Sequence, residues 1–306
     1  MTEKKKTTVT PEIIADFLQQ TGFVFEMRVH QQLRQFGYKC DVGYYFLDLA
    51  GDVEREIDIV ARKVVNDILI HLVIECKQSL LDKWVFIANK RSRRYYYSVK
   101  HLPNVPGEMM KQGLFDHLHN FDGGIPLTDN YICYSVTNGK KTEHLQIDEC
   151  VHKLPKALLD IAASVKEGRH LFLPVALFSG QIFSAAYKER VLVQERTHIQ
   201  YLSSFRSLGY QHAVTGPRSK RVGLTPFAEY EEGLREKRQA KIREITTKLA
   251  AYYSIDFVTE AGFAEYVQMI EKEVAAVKIE QWNFPAPTAE SVQTVTESGN
   301  KVSNAT

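Results

Sequence analysis

The chain reads as an α/β protein: a central sheet flanked by helices, followed by a helical extension toward the C-terminus. Three observations predict this. The N-terminal region carries apolar residues at helical spacing, two strongly apolar strand-like runs follow it, and helical periodicity returns beyond residue 225. The 306 residues, 44% hydrophobic and 25% charged, allow one large or two modest domains with a substantial core.

Taken in order, Thr10-Pro11 supplies a capping residue and a first-turn proline, and Ile13, Ile14, Phe17 and Leu18 give the short helix that follows an apolar stripe. A second helix begins near Thr21 or Gly22, places Phe25, Val29, Leu33 and Phe36 on one side, and stops at Gly37. Glu26 rides the edge of its buried face. Strands are expected over Lys39–Leu49, Arg55–Arg62 and Ile68–Gln78, separated by the turn pairs Gly51-Asp52 and Asn66-Asp67.

Beyond Lys77 the pattern loosens until a strand over Tyr131–Val136, closed by Asn138-Gly139, and an amphipathic helix over Leu154–Val165. Leu171–Phe178 and Gln181–Tyr187, broken at Ser179-Gly180, have the form of a hairpin, and Val191–Tyr201 of one further strand that widens the same sheet. Apolar periodicity fails over Gln211–Arg221, so a first domain is placed at 1–210 and a helical extension at 211–283. The extension comprises a helix from Thr225-Pro226 to about Tyr253 and another over Glu260–Glu280. Residues 284–306, rich in Ser, Thr, Pro and Asn, are expected to be a disordered tail.

A formal net charge of +2 means that any surface for a polyanion must come from local clustering. No apolar run approaches the roughly 20 residues needed to span a bilayer, and the polar, lysine-rich first residues lack the apolar segment of a signal peptide. A cytoplasmic location and no membrane partner are therefore expected. Cys40, Cys76, Cys133 and Cys150 stand far apart with no paired spacing, so neither a zinc knuckle nor a disulfide framework is indicated.

The informative residues lie inside the strongest strands. In Glu56-Ile57-Asp58-Ile59-Val60-Ala61, alternation puts Glu56, Asp58 and Val60 on one face. In Leu72-Val73-Ile74-Glu75-Cys76-Lys77, Glu75 and Lys77 share a face and Cys76 points away into packed core. If the two strands are neighbours, Asp58, Glu75 and Lys77 converge. Two carboxylates beside an amine can hold a hard divalent cation, orient a water against a phosphate and stabilise the charge that develops on cleavage.

This order of parts resembles the PD-(D/E)xK, or restriction-endonuclease-like, nuclease superfamily, and within it the type IV restriction and Holliday-junction-resolvase-like branches. The resemblance covers roughly residues 22 to 79 and rests on Phe25-Glu26 near a helix start, Gly37-Tyr38 at its end, Asp58-Ile59, and Glu75-Cys76-Lys77. The proline usual before the aspartate is absent, with Glu56-Ile57 in its place. The resemblance implies a mixed central sheet with an αβββαβ core. It further implies Asp58 and Glu75 as ligands of Mg2+, with Mn2+ as substitute, Glu26 as a supporting ligand, and Lys77 positioning or activating the water. The competing reading is an ordinary strand-end ion pair of Glu75 and Lys77 with Asp58 at an exposed edge. For Glu56 a salt bridge is favoured over a substitute ligand, and Asp52 is read as turn chemistry.

Gln78 and Ser79 stand where the superfamily can touch the scissile backbone, with strand-end capping as the alternative. From Lys83 to Gly107 six basic residues, Lys83, Lys90, Arg91, Arg93, Arg94 and Lys100, run without an acid and interleave with Trp84, Phe86, Tyr95, Tyr96 and Tyr97. Such a segment suits a wall that neutralises phosphates and stacks bases; the alternative is a solvated helix with core aromatics. A second basic set, Arg218 to Arg243, is mixed with glutamates and reads as a salt-laced helix. His117 and His119 beside Asp116 read as structural. The expected activity is a magnesium-dependent nuclease, most plainly a DNA endonuclease with a role in restriction or anti-phage defence. The alternatives are a catalytically silent scaffold of the same fold and a partner-activated RNA-cleaving effector. Nucleic acid is the expected partner, DNA before RNA, with the C-terminal helices able to bind a second copy or another protein.

Overall fold

The computed structural model of the chain describes residues 10–48, 53–79, 81–87, 97–101, 127–129, 133–137, 140–142, 145–165, 168–187, 189–204, 236–237, 240 and 252–276. Helix α1 (Pro11–Gln20) starts as expected, with Pro11 in the first turn and the Thr10 hydroxyl accepting from the Ile13 N–H at 3.5 Å. Helix α2 (Gly22–Gln35) buries Phe25, Val29 and Leu33. It ends where Gly37 takes a φ of +82°, with the Tyr38 N–H donating back to the Leu33 carbonyl at 3.0 Å.

Strands β1 (Lys39–Asp48), β2 (Val53–Val65) and β3 (Ile68–Lys77) form an antiparallel meander. The β2–β3 turn is made by Asn66 and Asp67, whose φ values of 50° and 56° suit a two-residue hairpin turn. Five short strands follow, of which the fourth falls on the strand expected over Tyr131–Val136. They are β4 (Asp82–Ile87), β5 (Tyr97–His101), β6 (Leu127–Asp129), β7 (Cys133–Thr137) and β8 (Lys140–Thr142). Helix α3 (Leu145–Ser164) precedes β9 (Gly168–Phe178), β10 (Gln181–Tyr187), β11 (Val191–Arg196) and β12 (His198–Ser204). Strand β13 (Tyr252–Thr259), a short 3-10 turn at Glu260–Gly262 and helix α4 (Phe263–Ala275) complete the described fold.

Two mixed sheets result. The larger runs β1-β2-β3-β9-β13-β12-β6, with β5 also on β9; the smaller runs β11-β10-β4-β7-β8. Strand β3 pairs parallel with β9, whose residues Leu171, Phe172, Leu173, Val175, Ala176, Leu177 and Phe178 are buried on both faces. One face of the larger sheet packs on α2 and α4 through Phe25, Leu33, Ile74, Val267 and Ile270. The other packs on α3 and on the inner face of the smaller sheet through Val73, Leu154, Ile161, Trp84 and Ile182. Trp84 stacks flat on Phe178 at 3.8 Å between ring centroids and ties the two sheets together.

Several expectations change. β9 and β10 do not form a hairpin: β9 lies in the larger sheet and β10 in the smaller, parallel to β4. Gly180 allows the crossing, since a Cβ there would lie 2.6 Å from the Phe178 ring and 2.9 Å from the Asp82 carbonyl. The strand expected over Val191–Tyr201 is two strands broken at Thr197, one in each sheet. Helix α3 begins at Leu145 rather than Leu154 and carries Pro155 inside it. The helix expected to reach Tyr253 gives way to β13, which lies between β9 and β12 in the larger sheet. Tyr252–Thr259 is thus built into that sheet. Helix α4 packs Phe263, Tyr266, Val267 and Ile270 against it, so this apolar face is not free to dock a partner. Residues 236, 237 and 240 are helical; the rest of 205–251, the expected boundary included, and the tail 284–306 lie outside the described residues. No described helix is long and apolar enough to cross a membrane.

Candidate active site

Strands β2 and β3 separate at one point, and the sequence-predicted acids stand there. Their ladder runs from the turn to Ile59 opposite Ile74. Continued by one step, the register sets Asp58 opposite Glu75. There the Asp58 side chain takes over from the backbone: Oδ2 accepts the Cys76 N–H at 2.6 Å. Beyond this point β2 stays with β1 as far as Val53 opposite Asp48, while β3 stays with β9 as far as Lys77 opposite Phe178. The sheet therefore forks, with Asp58 on one branch and Glu75 and Lys77 on the other.

Glu75 is buried, and its Oε1 accepts from Lys77 Nζ at 2.9 Å and from Lys153 Nζ at 2.7 Å. Its Oε2 is buried without a hydrogen-bond partner. Lys77 also donates to Glu149 Oε2 at 2.7 Å, and Lys153 Nζ lies 4.0 Å from Asp58 Oδ1. Sequence reasoning missed Glu149 and Lys153. Both lie on α3, one turn apart, in the part of the helix assigned too late. The signal was present: Ile147, Cys150, Val151, Leu154 and Leu158 continue the helical spacing backward past the proline, and all are buried. Asp48, likewise unforeseen, is buried at the end of β1 and accepts from Arg55 Nε at 2.7 Å and Lys156 Nζ at 2.9 Å.

The electrostatics follow from this crowding. Burial first, then the Glu75 charge, pushes the Asp58 carboxyl up to about 7, against the Cys76 N–H and Lys153. Glu26 is raised by burial and by Glu75 and Glu56, so the helix glutamate feels the same cluster. Burial would depress the Lys77 ammonium, but Glu75 and Glu149 outweigh it and hold it above the ordinary lysine value. Lys77 is therefore a fixed positive charge. Cys76 packs on the opposite face with Ile74, as expected, and burial holds its thiol well above the ordinary range.

Three features of the donor set suit a magnesium ion. Asp58 and Glu75 are oxygen donors facing one space, Glu75 Oε2 is an orphaned buried acceptor, and the mutual repulsion that raises Asp58 is what a cation relieves. Among the described residues no group of three His, Cys, Asp or Glu side chains gathers as a cation cage. Magnesium is typically gripped by only one or two protein carboxylates, with water filling the other positions, so the pair fits.

The other predicted residues divide. Glu56 is exposed and lies over Gly43, where a Cβ would come 2.8 Å from its Oε1; the expected salt bridge is not found among the described residues. Gln78 is half-buried, with its Oε1 lacking a partner. Ser79 caps the strand end instead, its hydroxyl accepting the Asp82 N–H at 3.0 Å and donating to Asp82 Oδ2 at 2.8 Å. Lys83 is exposed on the outer face of the smaller sheet, 5.9 Å from the Phe183 ring centroid. Trp84 and Phe86, expected to face bases, are fully buried because alternation on β4 turns them into the core. Lys90, Arg91, Arg93, Arg94, Tyr95, Tyr96, Asp116, His117, His119 and Asp52 lie outside the described residues, as does nearly all of the second basic set.

Comparison with protein-family models finds no match, and neither curated proteins nor solved structures give one.

Proposed function

We propose that this chain is a metal-dependent nuclease that hydrolyses phosphodiester bonds, with DNA as the favoured substrate. The observation that carries the reading is the fork: Asp58, Glu75 and Lys77 meet where β2 and β3 part, on the face overlooked by α3. Supporting it, α2, β1, β2, β3, α3 and β9 come in the αβββαβ order that the resemblance implies, with β4 to β8 inserted between β3 and α3 and with β9 parallel to β3.

Asp58 and Glu75 would hold the magnesium ion, with Glu26 adding its charge nearby rather than a third ligand, and the ion would supply charge for the phosphate oxygens and a water of lowered pKa. The chain's own residues do the rest. Lys77, pinned between Glu75 and Glu149, is held protonated and acts by charge: it orients an attacking water and lowers the cost of forming hydroxide, rather than taking up the proton. In the metal-free chain the Asp58 carboxyl stands near 7, so binding of the ion would displace its proton and hold it as a carboxylate. Burial of Glu75 excludes water from its side of the site and strengthens each of these interactions.

One observation favours a second reading, a catalytically silent scaffold of the same fold. Glu75 Oε1 is already engaged by two ammonium groups. The test is cleavage of supercoiled plasmid, linear duplex, single strands and RNA by the purified chain, with and without Mg2+, beside Asp58→Ala and Lys77→Ala. Magnesium-dependent cleavage lost in both variants is expected. Cleavage unaffected by either substitution refutes the residue assignment, and binding without cleavage on every substrate favours the scaffold. Cleavage of RNA alone would turn the reading to an RNA-cleaving effector, and a role in restriction or anti-phage defence would follow from protection of cells against phage.

A further inference from the structure

Lys153 belongs to no strand motif. It comes from α3, and its ammonium sits 2.7 Å from Glu75 Oε1 and 4.0 Å from Asp58 Oδ1 with its side chain mostly buried. The two lysines that meet on Glu75 differ in their dependence on it. Lys77 has Glu149 as a second anion at 2.7 Å. Lys153 makes its ion pairs with the two acids of the fork. Lys77 is shared between Glu75 and Glu149, whereas Lys153 is the ammonium placed between Glu75 and Asp58, and it offsets their charges in part.

We propose that Lys153 is a built-in counter-cation of the Asp58–Glu75 pair, and that a divalent cation must displace it before the site can act. The inference rests on the metal-site reading above. Adding a doubly charged ion beside a retained ammonium would leave an excess of positive charge in a largely buried space, which is strongly unfavourable where screening is weak. The lysine has a ready exit. Its four-carbon stem is flexible, part of the side chain already reaches solvent, and a released ammonium is free to meet a phosphate oxygen. Lys153 thus holds the acids together in the free chain and joins the substrate's counter-charges once the ion is in place.

The test is Mn2+ binding to the full chain, followed by calorimetry and by the paramagnetic resonance of the ion, for the unaltered protein, Lys153→Met and Asp58→Asn. Lys153→Met is expected to bind Mn2+ at least about tenfold more tightly, the scale on which groups touching metal ligands move affinity, and Asp58→Asn to bind far more weakly. A second measurement needs no variant: Mn2+ should raise severalfold the rate at which an amine-acylating reagent labels Lys153, read by mass spectrometry. Equal or weaker Mn2+ binding by Lys153→Met, with Asp58→Asn still impaired, overturns the counter-cation and leaves the metal site standing. Unchanged labelling of Lys153 in the Mn2+-bound protein overturns it equally. No Mn2+ binding by any of the three proteins overturns the metal site and the counter-cation together.

Discussion

Asp58→Asn should make the protein more stable at pH 8 and leave it unchanged at pH 4. The Asp58 carboxyl rises from an ordinary 3.8 to about 7 on folding. The unfolded chain gives up this proton near pH 4, whereas the folded one keeps it to about pH 7. Stability is thus lost as pH rises through that window: the penalty is absent below it and complete above it. The difference in pKa corresponds to a ceiling of about 4 kcal/mol. Asparagine carries no charge, and its side-chain oxygen can still accept the Cys76 N–H, so the variant keeps the hydrogen bond and loses the penalty. Urea unfolding followed by circular dichroism at pH 4, 6 and 8 measures the difference directly. A gain of several kcal/mol at pH 8 that shrinks toward zero at pH 4 is expected, alongside loss of cleavage. A variant that is less stable at pH 8 would show that the Asp58 charge is well compensated in the fold, and the picture of two crowded acids would fail.

Further outcomes follow from the packing. Trp84→Ala removes the ring stacked on Phe178 between the two sheets and should cost about 3–5 kcal/mol in the same unfolding assay; a loss below 1 kcal/mol would mean the sheets are held together elsewhere. Gly43→Ala forces a side chain into a φ of +66° and against Glu56, and should destabilise by about 1–2 kcal/mol from the backbone alone. Combining it with Glu56→Ala should relieve only the contact part, and full recovery would locate the cost in the side chains.

Much of the site was legible because it depends on local alternation. Asp58, Glu75 and Lys77 are polar residues at positions of period two inside apolar runs, and that pattern alone assigns them faces. Gly37 and Asn66-Asp67 announced their turns through positive φ. Lys153 and Glu149 were missed because the helix was started at Leu154, although the apolar spacing continues behind Pro155 to Ile147. Strand β13 was hidden for another reason. Tyr252–Thr259 is a short run beside a helical pattern, and only burial between β9 and β12 makes it a strand.

By itself the sequence determined the class of the fold, the opening order of two helices and three strands, and the face on which each charge of the central motif stands. The tertiary structure alone decided that β9 and β10 part into different sheets, that β13 enters the larger one, and that α3 brings Lys153 and Glu149 over the fork. The physical reason is the range of the forces involved. Alternation and turn chemistry act between residues a few positions apart, whereas the neighbour of a strand buried on both faces is chosen by the packing of the whole core, to which many sequence orders contribute alike.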